Sequence, residues 1–261
     1  MAILSSIWIY PIKSLDGVSV SQAKILPGGS LAQDREFALV DDQGNWVNGK
    51  RTAAIQQIRA GFDLEARTVT LSVGDSAPET FHLDGDRPRL ESWFSDFFGY
   101  PVFLQQNLHM GFPDDTNASG PTVVSVATLE AIATWFPGMT LAEARRRFRA
   151  NLEIGDVPAF WEDQLLAEPG QTVPFQIGEL SLLGSHPCQR CVVPTRDSQT
   201  GDRTPDFQKQ FAAQRQATLS KTVNTEWFNH FYKLTLNTLV ALTESGKVLK
   251  VGDLVRSHQV V

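Results

Sequence analysis

The sequence is poor in cysteine, and what it has is crowded together. Of 261 residues only two are cysteine, Cys188 and Cys191, with Gln189 and Arg190 between them. Two thiols cannot build a disulfide framework, and close spacing without a secretory leader points to a reducing compartment. Long apolar runs are also missing, since no window reaches the length of a membrane helix. The opening MAILSSIWIYPIKS lacks a basic start and is broken at Tyr10-Pro11, too early for a signal sequence. Positive charge is not in excess: a formal net charge of -6 argues against bulk electrostatic binding of a nucleic-acid polymer. There is no internal repeat and no low-complexity segment. The expectation is a cytoplasmic protein that engages neither a nucleic-acid polymer nor a membrane.

What the sequence does contain is ample material for a core, with 42% hydrophobic and 20% charged residues over a length suited to one large or two smaller domains. The first half is punctuated like a β protein. SSIWIYPI, VSVSQAKIL, EFALVDD, NWVNGK, TVTLSV and TFHLD are short apolar, β-branched or aromatic runs separated by turn residues. EFALV and NWVNG read as a hairpin across Asp-Asp-Gln-Gly. A helix is predicted over Leu90–Phe98, stopped by Gly99 and Pro101. A second runs over Thr128–Phe136, with Leu129, Ile132, Ala133 and Phe136 on one face. LAEARRRF predicts a third, whose Arg145, Arg146 and Arg147 read as a solvated face. QTVPFQIG and ELSLLG resume the strands, FQKQFAAQRQ adds a helix, and VALTESGKVLKVGDLV predicts a final strand pair. The pattern is α+β and β-rich, without the strand–helix alternation of a doubly wound sheet. The loop MGFPDDTNASGPT, Met110 to Thr122, divides it into a β-rich part over 1–110 and a second domain over 111–261.

The cysteines sit in HPCQRCVVPTRDSQTG. Structural zinc needs four ligands, and there is no second cysteine pair. A zinc deaminase carries P-C-x-x-C but also H-x-E. His82, His109, His186, His230 and His258 are followed by Leu-Asp, Met-Gly, Pro-Cys, Phe-Tyr and Gln-Val, so none satisfies it. A thioredoxin-type dithiol belongs at a helix N-terminus, whereas this motif runs into Val-Val-Pro, which favours strand or loop. Two readings of the residues stay open beside it: two cysteines that merely pack, or one thiolate that ligates a metal held mainly by something else. Arg190 offers a fork of donors suited to an oxyanion.

Five separated segments, in order, resemble the MOSC-domain proteins, most closely those of the amidoxime-reducing type. They are IWIYPIKSLDGVSV, LAQDREFALVDDQGNWV, RFRANLEI, HPCQRCVVPTRDSQTG and LKVGDLV, which together span nearly the whole chain. The resemblance implies a MOSC-type β-barrel core, an N-terminal β-rich subdomain and a few peripheral helices. It also implies the molybdenum cofactor (Mo-molybdopterin), with Cys191 as the metal ligand and catalytic residue. A soft thiolate suits a metal already held by two dithiolene sulfurs. Cofactor-contacting positions carry over to Lys13, Ser14, Arg35, Ser119, Gly120, Arg149, Asn151, Gln189 and Arg190, and Cys188 is expected to pack near the metal.

The implied activity is reduction of N-hydroxylated compounds such as amidoximes, hydroxylamines and N-hydroxylated bases. Electrons would come from an external protein of ferredoxin, flavodoxin or cytochrome type. The one cysteine left over cannot hold an iron–sulfur cluster, and no G-x-G-x-x-G follows a strand. The alternatives are a carrier of the cofactor or of sulfur, without turnover, and a metal-free dithiol. Ala150 and Pro194 replace residues usual in the family, and GDVPAF reads as an insertion before the cysteines. The membrane anchor of mitochondrial members and the fused ferredoxin domain of bacterial ones are not expected. No proton donor is assigned; Asp197 is the nearest acid to the motif.

Overall fold

The computed structural model describes residues 1–221 and 223–257, so His258 lies outside the described residues. In chain order the first half holds β1 (Ile3–Ile9), β2 (Val18–Val20), β3 (Gln22–Lys24), β4 (Phe37–Asp41), β5 (Trp46–Val47), β6 (Ile58–Asp63), β7 (Thr68–Val73), β8 (Glu79–His82), α1 (Arg87–Phe98) and β9 (Val102–Gln106). The second half holds β10 (Val123–Ser125), α2 (Val126–Trp135), α3 (Leu141–Phe148), β11 (Leu152–Gly155), β12 (Val173–Ile177), β13 (Leu180–Gln189), α4 (Phe207–Thr218), β14 (Lys233–Leu239), β15 (Val248–Lys250) and β16 (Val255–Ser257). The class is α+β and β-rich.

Most strands of the second half join an eight-stranded sheet ordered β16-β12-β13-β14-β10-β11-β1-β2. The expected barrel is not a closed one. The ladder ends at β16 and β2, and the start of β1 meets the chain before β16 at an isolated bridge, Ile3 to Leu254, flanked by backbone hydrogen bonds such as Leu4 N–H to Asp253 O. The strand pair expected near the end also differs. β15 pairs with β3 and β16 with β12, so the last two strands serve different sheets. Five strands, β6, β9, β10, β11 and β14, were not anticipated. β14 is buried on both faces for six of its seven residues, although its sequence alternates polar and apolar side chains over Lys233–Asn237.

In the first half, β5-β4-β9 and β6-β7-β8 form two small sheets around a core of Phe37, Leu39, Val69, Leu71, Leu90 and Phe94. α1 supplies Leu90 and Phe94 at i, i+4 and ends where Gly99 takes a left-handed φ of 76°. The EFALV hairpin is present, with Val40 opposite Trp46.

The second half turns on one crossover. β10 and β11 run parallel, which requires a long connection, and α2 and α3 provide it. Each helix begins on a side-chain cap: Ser125 Oγ accepts from the Thr128 N–H at 3.0 Å, and Thr140 Oγ1 from the Glu143 N–H at 3.1 Å. Arg145, Arg146 and Arg147 do not form a solvated face. Only Arg146 is exposed; Arg145 pairs with Glu153 of β11, and Arg147 is buried against Glu143. α4 buries Phe207, Phe211 and Arg215 along one stripe, and Arg215 pairs with Asp163 in the interior.

Beside that pair, Glu162 is 2% exposed. Its Oε2 accepts from the Ser125 N–H and Thr128 Oγ1, both at 3.1 Å, while Oε1 has no partner among the described residues. Burial, and then the charge of Asp163, pushes its pKa up from 4.5 to about 7. The folded state therefore holds the proton more tightly than the unfolded one. That contribution to stability is complete below about pH 4.5 and is lost as pH rises through 7. Glu162→Gln, uncharged throughout, is expected to lose less melting temperature than the wild type between pH 5 and 8. Parallel curves would sink this assignment.

Candidate functional site

The crossover delivers its last turn to β1. Ile7 of β1 pairs with Leu152 of β11, which sets the segment 149–151 against the segment 10–14. Asn151 locks the two together and is 2% exposed. Its Oδ1 accepts from Thr122 N–H and Oγ1, both at 3.2 Å, and from Arg35 Nη1 at 3.4 Å, while its Nδ2 donates to Trp8 O at 3.0 Å. Arg149 ends α3 in a left-handed conformation, φ 53°, and its backbone N–H closes on Arg145 O. Its guanidinium lies 4.1 Å from the Tyr10 ring centre, with that of Arg35 at 5.2 Å. Burial lowers the Arg149 pKa, and its buried Nη2 has no partner among the described residues.

The other wall is the long β13–β14 pair. Its register shifts on either side of Pro187, and Thr235 opposite takes a φ of 67°, a rare conformation for a β-branched residue. The irregularity ends β13 at Gln189 and turns the chain at Cys191, where the Arg190 N–H donates to Tyr232 O. Cys191 Sγ accepts from the Val193 N–H at 3.5 Å. Arg190 Nη2 donates to Phe148 O at 2.8 Å and Nη1 to Cys188 Sγ at 3.1 Å, while Nε has no partner among the described residues.

All ten residues singled out in the sequence line one cavity of about 430 Å³. Their roles differ. Lys13 Nζ donates to Phe112 O at 2.9 Å and faces Asp114 at 3.0 Å, and Lys50 meets the same carboxylate at 3.4 Å. Burial alone would raise the Asp114 pKa, but Lys13, Arg35 and Lys50 together hold it well below the usual carboxylate range. Ser14 Oγ accepts from the Gly49 N–H at 3.2 Å. Ser119 Oγ donates to Gly28 O at 2.5 Å, and Gly120 lies so close to β14 that a Cβ would stand 2.4 Å from Thr238 Oγ1. Those two, with Asn151, spend their polar capacity or shape on the protein itself. Gln189 is exposed at the rim.

Sequence reasoning missed Lys50, Asp114, Asp115, His186, Trp227, Lys233 and Asn237, which also line the cavity. Lys233 and Asn237 lie on the polar face of β14, whose period-2 alternation over Lys233–Asn237 is the signal that could have found the strand, and His186 was weighed only as a metal ligand. Asp197 is turned away: its Oδ1 caps the turn at Gln199 and Thr200, and Oδ2 stands 3.5 Å from Arg147.

The chemistry of the lining is a soft sulfur facing a field of cations. Arg149 and Arg190 are buried without a carboxylate partner among the described residues. No three His, Cys, Asp or Glu side chains gather there as a metal site, so a metal on Cys191 needs further ligands from a bound group. A lining of this chemistry fits an anionic, metal-bearing group.

Comparison with known proteins agrees with that class. The MOSC domain family matches residues 117–256, more than half of the chain, and the MOSC N-terminal beta barrel domain matches residues 1–94. The chain belongs to the MOSC-domain family. It is 23% identical over 250 residues to molybdenum cofactor sulfurase of Bos taurus, covering 79% of this chain and 28% of that protein. It is 26% identical over 253 residues to the Danio rerio sulfurase, covering 78% and 29%. Mitochondrial amidoxime reducing component 2 of Bos taurus is 25% identical over 245 residues, covering 76% of this chain and 67% of that protein. The chain thus spans under a third of the length of these sulfurases. Among the described residues no helix is long and apolar enough to cross a membrane.

A cavity with two buried, unbalanced guanidiniums should bind small anions even without a cofactor. Inorganic phosphate is expected to raise the melting temperature of the cofactor-free protein, by about 2.7 kcal/mol of stability at a hundredfold excess over its Kd. Arg149→Met and Arg190→Met should lose most of that shift, while Arg146→Met on the exposed face keeps it. Equal shifts in all four proteins would mean a bulk salt effect.

Proposed function

We propose that this cavity holds the molybdenum cofactor and that the protein reduces N-hydroxylated compounds in the cytoplasm, with electrons from an external protein. The observation that carries the reading is the placement of Cys191 Sγ in the same cavity as Arg149 and Arg190, two buried cations with donors to spare. When bound, the cofactor supplies the two-electron chemistry that cleaves an N–O bond, consuming two protons and releasing water.

The protein's part is to bind, orient and exclude water. Cys191 offers a thiolate to the metal, and the Val193 N–H fixes the direction of its sulfur. Arg149 and Arg190 would meet the oxyanion and polar edges of the pterin with planar forks, and Lys13 and Lys50 would meet its phosphate with point charges. Arg35 and Asn151 act one step back, holding the segment that carries Arg149. Tyr10 serves as a buried platform for both guanidiniums, worth about 1 kcal/mol for each contact in a partly desolvated setting. The electron donor would be a ferredoxin, flavodoxin or small cytochrome. Of the arginines on α3 only Arg146 faces solvent for such a partner.

A second reading, a carrier of the cofactor or of sulfur, is favoured by one contact. Arg190 donates to Cys188 as well, which places a cation beside a second, half-buried sulfur.

Protein expressed in a host that makes the cofactor is expected to carry molybdenum and pterin in near-equal amounts per chain. Cys191→Ala should lose the metal, and Cys188→Ala should keep it. The loaded wild type should reduce an amidoxime with an artificial one-electron donor. A loaded protein inert toward a panel of N-hydroxylated substrates would select the carrier. No metal or pterin, in a host that loads another molybdoenzyme, would overturn both readings.

A further inference from the structure

The cavity has a further wall, and it carries an aromatic side chain. Trp227 ends the short turn Thr225–Trp227 and is fixed in three independent ways. Its indole Nε1–H donates to Ala167 O at 2.6 Å. Its carbonyl accepts a hydrogen bond from Lys233 Nζ, whose other acceptor is Asn229 Oδ1 at 2.8 Å. Its ring lies against the imidazole of His186, centres 6.0 Å apart and planes at 29°. His186 is itself pinned, by Asp115 Oδ2 at 2.8 Å, by Ser185 Oγ at 2.9 Å and by the Asn237 amide at 3.0 Å.

Lys233 is the unusual member. It is 9% exposed, burial lowers its pKa, and both of its acceptors are neutral oxygens. Desolvating an ammonium to hold a turn is costly, and what it holds is the backbone of one aromatic residue in the cavity wall. The indole N–H is already occupied and His186 covers part of the ring, so what Trp227 offers a ligand is the part of its π surface that lines the cavity. Arg35 and Arg149 belong to the opposite wall, built from the segments 10–14, 34–35 and 149–151, and Arg190, which follows β13, turns its guanidinium to Phe148 O at the end of α3.

We propose that Trp227 is the stacking platform for substrate, so that the protein selects planar, conjugated N-hydroxylated compounds over saturated hydroxylamines. A rigid indole gains contact with a flat π system without losing its own freedom on binding, and a puckered ring cannot match that surface. Lys233 and His186 are positioning residues that keep the indole in place. This inference rests on the reductase reading for its substrate, but its binding step is measurable without turnover.

The experiment compares wild type, Trp227→Ala and Trp227→Phe, each with its molybdenum content measured. The readouts are kcat and KM for benzamidoxime and for cyclohexylhydroxylamine, and binding of benzamidine, the product of the first, by calorimetry. Trp227→Ala should lower the benzamidoxime-to-cyclohexylhydroxylamine ratio of kcat/KM by roughly tenfold or more, through KM, and weaken benzamidine by a similar factor. Trp227→Phe, which keeps a flat face but not the N–H, should recover most of both. An unchanged ratio with unchanged benzamidine affinity in Trp227→Ala overturns the platform. So does a loss that Trp227→Phe does not recover, because the tryptophan would then be structural. Loaded wild type inert toward both substrates would overturn the reductase reading instead, while the benzamidine titration would still decide whether Trp227 stacks.

Discussion

The site depends on one buried amide. Asn151 has nothing to spare: its oxygen is shared by Thr122 and Arg35, and its nitrogen holds β1 through Trp8. Four stretches of chain that are distant in sequence meet on this side chain. Arg149, two residues earlier, can take its left-handed conformation and stand over Tyr10 only because the chain on either side is tied down. A non-glycine residue at positive φ costs about 1 kcal/mol or more and persists where the surroundings over-determine it. Arg35, at φ 48°, and Ser14, at φ 74°, are in the same position. Three residues of the cationic wall are thus held in conformations that an unconstrained chain would avoid.

Strained backbone and buried cations are two aspects of one arrangement. Arginine is rarely buried without an anion because removing it from water is expensive. Here Arg35 keeps Asp34 as a partner, while Arg149 and Arg190 rely on a phenol ring, a benzyl ring, carbonyls and a sulfur. Those contacts soften the cost without cancelling the charge. Such a wall has a standing preference for an anion, already oriented before any ligand arrives.

Much of this was legible in the sequence, and the part that was not has a common cause. PIKS, DRE, FRAN and CQRC were readable because each is a compact run of chemically distinctive residues, and the fold does bring them to one cavity. The helix over 141–148 was readable from Leu141, Ala144 and Phe148. What escaped was whatever depends on neighbours far along the chain. β14 carries a readable alternation over Lys233–Asn237, but its polar face reads as a solvated one, and only the folded chain turns Lys233 and Asn237 toward the cavity. Arg145 looked like surface charge because Glu153 lies on the next strand, and Arg147 because the Pro194 carbonyl and Thr204 hydroxyl that cover it come 47 and 57 residues later. The pairing of β15 with β3 joins segments more than two hundred residues apart, where adjacency in sequence suggested a hairpin.

The distribution of carboxylates argues for a polarity within the cavity. Asp114 stands between Lys13 and Lys50, and more than half of its side chain is exposed, so it balances those lysines where solvent already screens them. Arg149 and Arg190, deeper and drier, are left without such a partner. Asp115, adjacent in sequence, faces the other way and is taken up by His186 on the wall that holds Trp227. Two consecutive acids therefore serve opposite walls, one tempering the positive field at the mouth and the other fixing an aromatic surface. The guanidiniums gather toward Cys191, while the wall of Trp227 carries one ammonium, Lys233, turned onto Trp227 O and Asn229 Oδ1. A cavity built in that way presents guanidiniums suited to an anion and, apart from them, an aromatic face.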